Sequence, residues 1–264
     1  MPDHGHPGRL DPQGPGQQSQ QGEREQGQET DAGEAHGSIL PFTYGRIDRM
    51  YLGSEFHRFW ARSGRHELHP DDAAYLSHNP FTEGVLPCPF DGPLDKARVV
   101  ICLANPSYAK VQDKTDLNDL IFSMRTGEEK LPELFADFYR RITGPIGMNE
   151  EKMRELVAVL NVCPYASPQM GDRMERIAAG LPSVWQAQQY LRQVLIPRAQ
   201  TGNIYLVLIR KLQLWGVTSS DDLMGNMRVV AGRELGAVMS RRLGEEINSW
   251  LVQKGHMPGG AKPN

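Results

Sequence analysis

Residues 97–104 read ARVVICLA, and residues 105–108 that follow read NPSY. A strand with one solvated face alternates apolar and polar side chains, whereas one covered on both faces of a parallel sheet stays apolar along its length. After Arg98 this run is apolar throughout, so it predicts a buried parallel strand that ends abruptly at Asn105, Pro106 and Ser107. Working outward, three more runs have the same character: Leu156–Val162, NIYLVLIRK at 203–211 and MRVVAG at 227–232.

Between these runs the apolar residues take helical spacing. DLNDLIFSMRTG (116–127) and PELFADFYRRITG (132–144) each end near a glycine. A helix is predicted from near Ser183, with apolar residues at Trp185, Leu191, Val194 and Leu195, and a last one over 241–255 with Leu243, Ile247, Trp250 and Leu251 at helical intervals. Strands alternating with helices predict an α/β fold: a three-layer α/β/α domain around a mainly parallel four-stranded sheet. In such sheets ligands sit outside the carboxyl ends of the strands, where Asn105 and Asn161 fall.

The chain of 264 residues divides by composition. Residues 1–37 are Gln-, Gly- and acid-rich, with no Leu, Ile, Val, Met or aromatic residue from Asp11 to Ser38, and are expected to be a disordered tail. That tail carries seven acids against Arg9 and Arg24, so the formal net charge of −3 leaves +2 on the remainder. Residues 38–255 read as a single α/β domain and 256–264 as a flexible tail. A weakly basic domain is compatible with nucleic acid without requiring it. Cys88, Cys102 and Cys163 show no metal-ligand spacing and read as reduced thiols, which with a polar N-terminus and no long apolar stretch predicts a cytoplasmic protein. Tyr51, Phe56, Phe59 and Trp60 are spaced for core packing on a helix, and the proline-rich 79–94 reads as a surface connection.

Phosphate-binding GxGxxG and GxxxxGKS patterns and the GxSxG nucleophile elbow do not occur. What remains is a pair of polar strand ends, LANPS at 103–107 and VLNVCPY at 159–165, followed by LIRKLQLWG at 208–216. This set resembles the uracil-DNA glycosylase superfamily, whose mismatch-specific members carry GINPG after the first strand; here Leu103 replaces the first glycine. PFDG, NPSY, PYAS and PSVW also follow in the order seen in an uncharacterised bacterial glycosylase-like group, so the resemblance covers residues 86–217.

The resemblance implies Asn105 as the catalytic residue that positions the attacking water, with Ala104, Pro106, Ser107, Tyr108, Asn161 and Tyr165 forming the base pocket. It implies nucleic-acid contacts from Ser167, Arg210, Lys211, Leu235 and Arg241. It further implies DNA as partner; a monomer without a cofactor is expected, with no membrane, since no apolar stretch is long enough, and no metal, since the cysteines lack ligand spacing. The second catalytic motif of the superfamily, often HPS after the fourth strand, has no counterpart in RVVAGRELGAVMSRRLG at 228–244, which lacks histidine and proline. A non-catalytic protein that keeps the fold and binds a nucleic acid, nucleotide or protein is therefore the alternative.

Each residue also has a simpler reading. Asn before Pro is a common turn residue. Tyr108 and Tyr165 at a sheet end suit core packing as well as base stacking, Leu235 suits core as well as a wedge, and Arg210 and Lys211 suit a solvated edge as well as phosphate contact. Cys163 reads as a buried thiol. A carboxamide is a feeble base, so an acid reaching Asn105, with Asp91, Asp113 and Asp116 as candidates, is the missing element.

Overall fold

The structure is a computed structural model, and it describes residues 49–106, 114–125, 139–140, 143–167, 170–217, 225–230 and 239–258. Helix α1 (Arg49–Ala61) and the short α2 (Pro70–Ala73) precede strands β1 (Phe90–Asp91) and β2 (Val99–Leu103). Then come α3 (Lys114–Arg125), α4 (Glu150–Leu156), β3 (Val157–Asn161), α5 (Asp172–Ala179) and α6 (Pro182–Tyr190). A π-helical turn, Leu191–Leu195, joins α6 to α7 (Ile196–Gln200), and β4 (Tyr205–Ile209), β5 (Met227–Val230) and α8 (Arg241–Gln253) complete the order.

The sheet is mixed and five-stranded, in the order β1-β3-β2-β4-β5. Pairing between β3 and β2, β2 and β4, and β4 and β5 is parallel, whereas β1 joins β3 antiparallel. The expected four strands are present within a residue or two, and the fifth lies in the stretch expected to be a connection. Phe90 and Asp91 form the ladder although prolines bracket them at positions 89 and 93.

Continuous apolarity in β2 follows from cover on both faces. Val100 and Cys102 pack with Ala158, Leu160, Leu206 and Leu208 beneath Phe56, Trp60 and Val184 of α1 and α6. Val99 and Ile101 point the other way, with Val157, Val159 and Val207, against Leu117 and Ile121 of α3 and Ile247 and Leu251 of α8. The period-2 alternation thus divides one apolar run between two cores.

Helix starts are set by side chains that accept orphan backbone N–H groups. Asn149 Oδ1 accepts from Lys152 N at 2.9 Å to start α4, and Ser240 Oγ accepts from Leu243 N at 3.2 Å to start α8. At α6 the acceptor comes from far away in sequence: the buried Asp72 carboxylate takes the Ser183 N–H at 2.9 Å. Helix α8 also lies close to the turn Gly144–Ile146, since a Cβ on Gly244 would stand 2.2 Å from the Pro145 carbonyl oxygen. None of the described helices is long and apolar enough to cross a membrane.

Candidate functional site

Parallel pairing brings the carboxyl ends of β2 and β3 side by side, with Leu103 in register with Asn161. The pairing continues past the strands. Val162 N donates to Leu103 O at 3.0 Å, Cys163 N to Ala104 O at 2.9 Å, and Ser167 N to Pro106 O at 3.4 Å. The two polar strand ends therefore run together as one double loop, 103–106 against 161–167.

Within it the Asn105 amide nitrogen donates to Pro106 O at 2.9 Å and to Ser167 O at 3.2 Å. Both partners are carbonyls, so the group facing them must be the NH2 and the orientation of the amide is fixed. Its Oδ1 accepts no hydrogen bond among the described residues. Asn161 repeats the arrangement in a drier setting. It is 2% exposed, its Nδ2 donates to Cys88 O at 3.0 Å, its backbone N–H donates to Pro89 O at 2.8 Å, and its buried Oδ1 has no partner among the described residues. A buried acceptor left without a donor costs about 1–3 kcal/mol. The two strand ends thus carry two carboxamide oxygens with no donor among the described residues, that of Asn105 on a half-buried residue and that of Asn161 closed off from solvent.

Behind Asn161 lies a carboxyl group. Asp91 is 4% exposed, and the Cys88 thiol donates to its Oδ1 at 3.0 Å. Burial pushes the Asp91 carboxyl up to about 6, with the thiol hydrogen bond a smaller opposing effect. Of the other two acids, Asp116 is exposed in the first turn of α3, and Asp113 lies outside the described residues. No acid bonds to Asn105 among the described residues. Arg125, in the last turn of α3, is 6% exposed; its Nη2 donates to Gly64 O at 2.6 Å while Nε and Nη1 have no hydrogen-bond partner among the described residues. Burial lowers its pKa, and the neighbouring Cys88 and Tyr165 side chains oppose that shift.

Tyr165 belongs to the core side of the loop. Its ring stacks on Phe81 with centroids 4.6 Å apart, its hydroxyl donates to Asp72, and the same oxygen accepts the His69 N–H at 3.0 Å. Pro106 is buried and Ala104 half-buried in the double loop, while Ser167, also buried, supplies the carbonyl that orients Asn105. Ser107, Tyr108 and Leu235 lie outside the described residues. Arg210 and Lys211 follow β4 at the same end of the sheet, both at positive φ, 60° and 49°. Lys211 is paired with Glu175 at 2.5 Å, and the exposed Arg241 with Glu245 at 2.9 Å on its own helix. Burial raises the Cys163 thiol to about 12, which keeps it protonated at neutral pH.

Sequence reasoning alone did not bring Cys88, Arg125 or His69 into the neighbourhood of the strand ends. All three arrive through loops or helix termini with no periodic signal, although Asp91 stood out as an acid inside an apolar, proline-rich stretch. Among the described residues no group of three or more His, Cys, Asp or Glu side chains could hold a metal ion. No protein-family model matches the chain, and no curated protein matches its sequence.

Proposed function

We propose that this chain is a uracil-DNA glycosylase-like protein, with a three-layer α/β/α domain that hydrolyses the N-glycosidic bond of a damaged or mismatched base in DNA. It would act as a cytoplasmic monomer in DNA repair. The observation that carries the reading is the pair of free, oriented carboxamide oxygens on neighbouring strand ends. Asn161 Oδ1 is buried, so a base flipped out of the duplex enters only as the double loop parts; that oxygen then accepts an imide N–H on the base edge while the NH2 stays tied to Cys88 O. Asn105 Oδ1 accepts a hydrogen bond from the attacking water and holds its oxygen toward the sugar. The C1′–N bond breaks with its electron pair leaving on the base, the water oxygen bonds to C1′, and the water proton is lost to solvent or to the departing base. Because a carboxamide is a weak base, the reaction depends on the base being a good leaving group.

A second reading is favoured by one observation: no carboxylate reaches Asn105 among the described residues, and Asp91 is directed to the Cys88 thiol. On that reading the same site binds a nucleobase without cutting it. Base release from uracil-, hypoxanthine- and mismatch-containing duplexes separates the two. Release by the wild type, reduced at least tenfold in Asn105→Ala, supports hydrolysis. Binding of the same duplexes with no release above background on any of them ends the hydrolytic reading.

A further inference from the structure

Close to the double loop lies an open groove of about 330 Å3 between residues 75–80 and α5. We propose that this groove holds a nucleotide of the same DNA strand that presents its neighbouring base to Asn105 and Asn161, with the groove nucleotide's base against Tyr75 and its phosphate on Arg173. This inference rests on the DNA-binding reading above.

Tyr75 is 66% exposed. The other large apolar side chain exposed among the described residues, Trp185 at 51%, has its indole N–H committed to Ala179 O at 3.0 Å. An aromatic face left in water beside an apolar floor, here Leu181 and Ile177, is a stacking platform. Among the described residues that line the groove, Arg173 carries the one permanent charge and none is a carboxylate. Arg173 is exposed in the first turn of α5 and forms no ion pair among the described residues, unlike Lys211 and Arg241. The volume is near the lower end of small-ligand pockets, about 300–1,000 Å3, which suits one base and sugar.

Position links the groove to the strand ends. Pro80, in its wall, is followed by Phe81, whose ring stacks on Tyr165, and by Thr82, whose N–H donates to Ala166 O at 2.9 Å. The next residue, Ser167, carries the carbonyl that orients Asn105. A strand leaving the site along this wall meets an aromatic face and then a cation, the pattern with which single strands are held regardless of sequence.

The test is binding of a short labelled single-stranded oligothymidylate, followed by fluorescence anisotropy at several salt concentrations. Tyr75→Ala is expected to weaken binding roughly tenfold or more, and Tyr75→Phe to restore it, because stacking needs the ring and not the hydroxyl. Arg173→Gln is expected to lower the slope of log affinity against log salt by about 0.7, the value for one phosphate on a single strand. Arg154→Gln removes an equal charge from α4, outside the groove, and should leave that slope unchanged. Binding by Tyr75→Ala and Arg173→Gln equal to wild type overturns the proposal, as does a wild type that binds no oligonucleotide. Self-association abolished by Tyr75→Ala, seen by sedimentation, overturns it too by assigning the groove to a second copy. If the groove variants lose oligonucleotide affinity while wild type releases no base, the groove stands and hydrolysis falls; unchanged KM for base release in those variants has the opposite meaning.

Discussion

Replacing Asp91 by Asn isolates the electrostatic consequence of putting a carboxyl group beneath α3. Burial moves its pKa from an ordinary 3.8 to about 6. A group whose folded pKa is raised contributes stability that is complete below the unfolded value and disappears as pH rises through the folded one. The wild type should therefore lose stability from this residue between about pH 4 and pH 7, and the whole displacement corresponds to about 3 kcal/mol. Asparagine keeps the shape and can still accept the Cys88 thiol, but it does not titrate. Relative to wild type, Asp91→Asn should gain about 2 kcal/mol on going from about pH 4 to about pH 8, since part of the effect is already lost at the lower value. Urea unfolding of both proteins across this range reads the difference directly. Other titrating groups shift both curves alike and cancel in the comparison. Parallel stability curves for the two proteins would refute the reasoning, because they would mean that the carboxyl titrates normally or that a positive charge offsets its burial.

Two further substitutions probe the supports of the site. Tyr165→Phe removes the hydroxyl shared by Asp72 and the His69 N–H. It should cost about 2 kcal/mol, read as a fall in Tm of about 4–8 °C; an unchanged Tm would show that the bridge contributes nothing. Gly244→Ala sets a methyl 2.2 Å from the Pro145 carbonyl oxygen, which is backbone and cannot swing aside. A loss of about 1–3 kcal/mol in urea unfolding is expected, and a neutral or stabilising result would contradict the close approach of α8 to that turn.

The parallel strands were legible because burial on both faces leaves a mark that needs no partner to be recognised: Val99–Leu103, Val157–Asn161 and Tyr205–Ile209 are apolar almost without interruption. Strand β1 left no such mark. Two residues between prolines have no period, and only the β3 ladder makes them a strand. The adjacency of Asn105 and Asn161 could be anticipated, since both end strands and such ends converge in a parallel sheet. The orientation of the Asn105 amide could not, because it depends on the carbonyl of Ser167, sixty-two residues away. Arg125 resembles any basic residue favouring the end of a helix; its burial comes from the approach of Gly64. Tyr165 fitted two roles in sequence, and the Asp72–His69 pair that ties it down was visible only in three dimensions.

The short β1 strand also determines what the sheet does toward other molecules. A parallel sheet that ended at β3 would offer a bare row of N–H and C=O groups to any extended chain. Phe90 and Asp91 occupy that row, and the flanking Pro89 and Pro93 have no N–H with which to recruit a further strand. A two-residue element whose Phe90 is itself part of the core thus covers Val159 and Leu160 at the β3 margin and offers no N–H from positions 89 and 93 for a further strand.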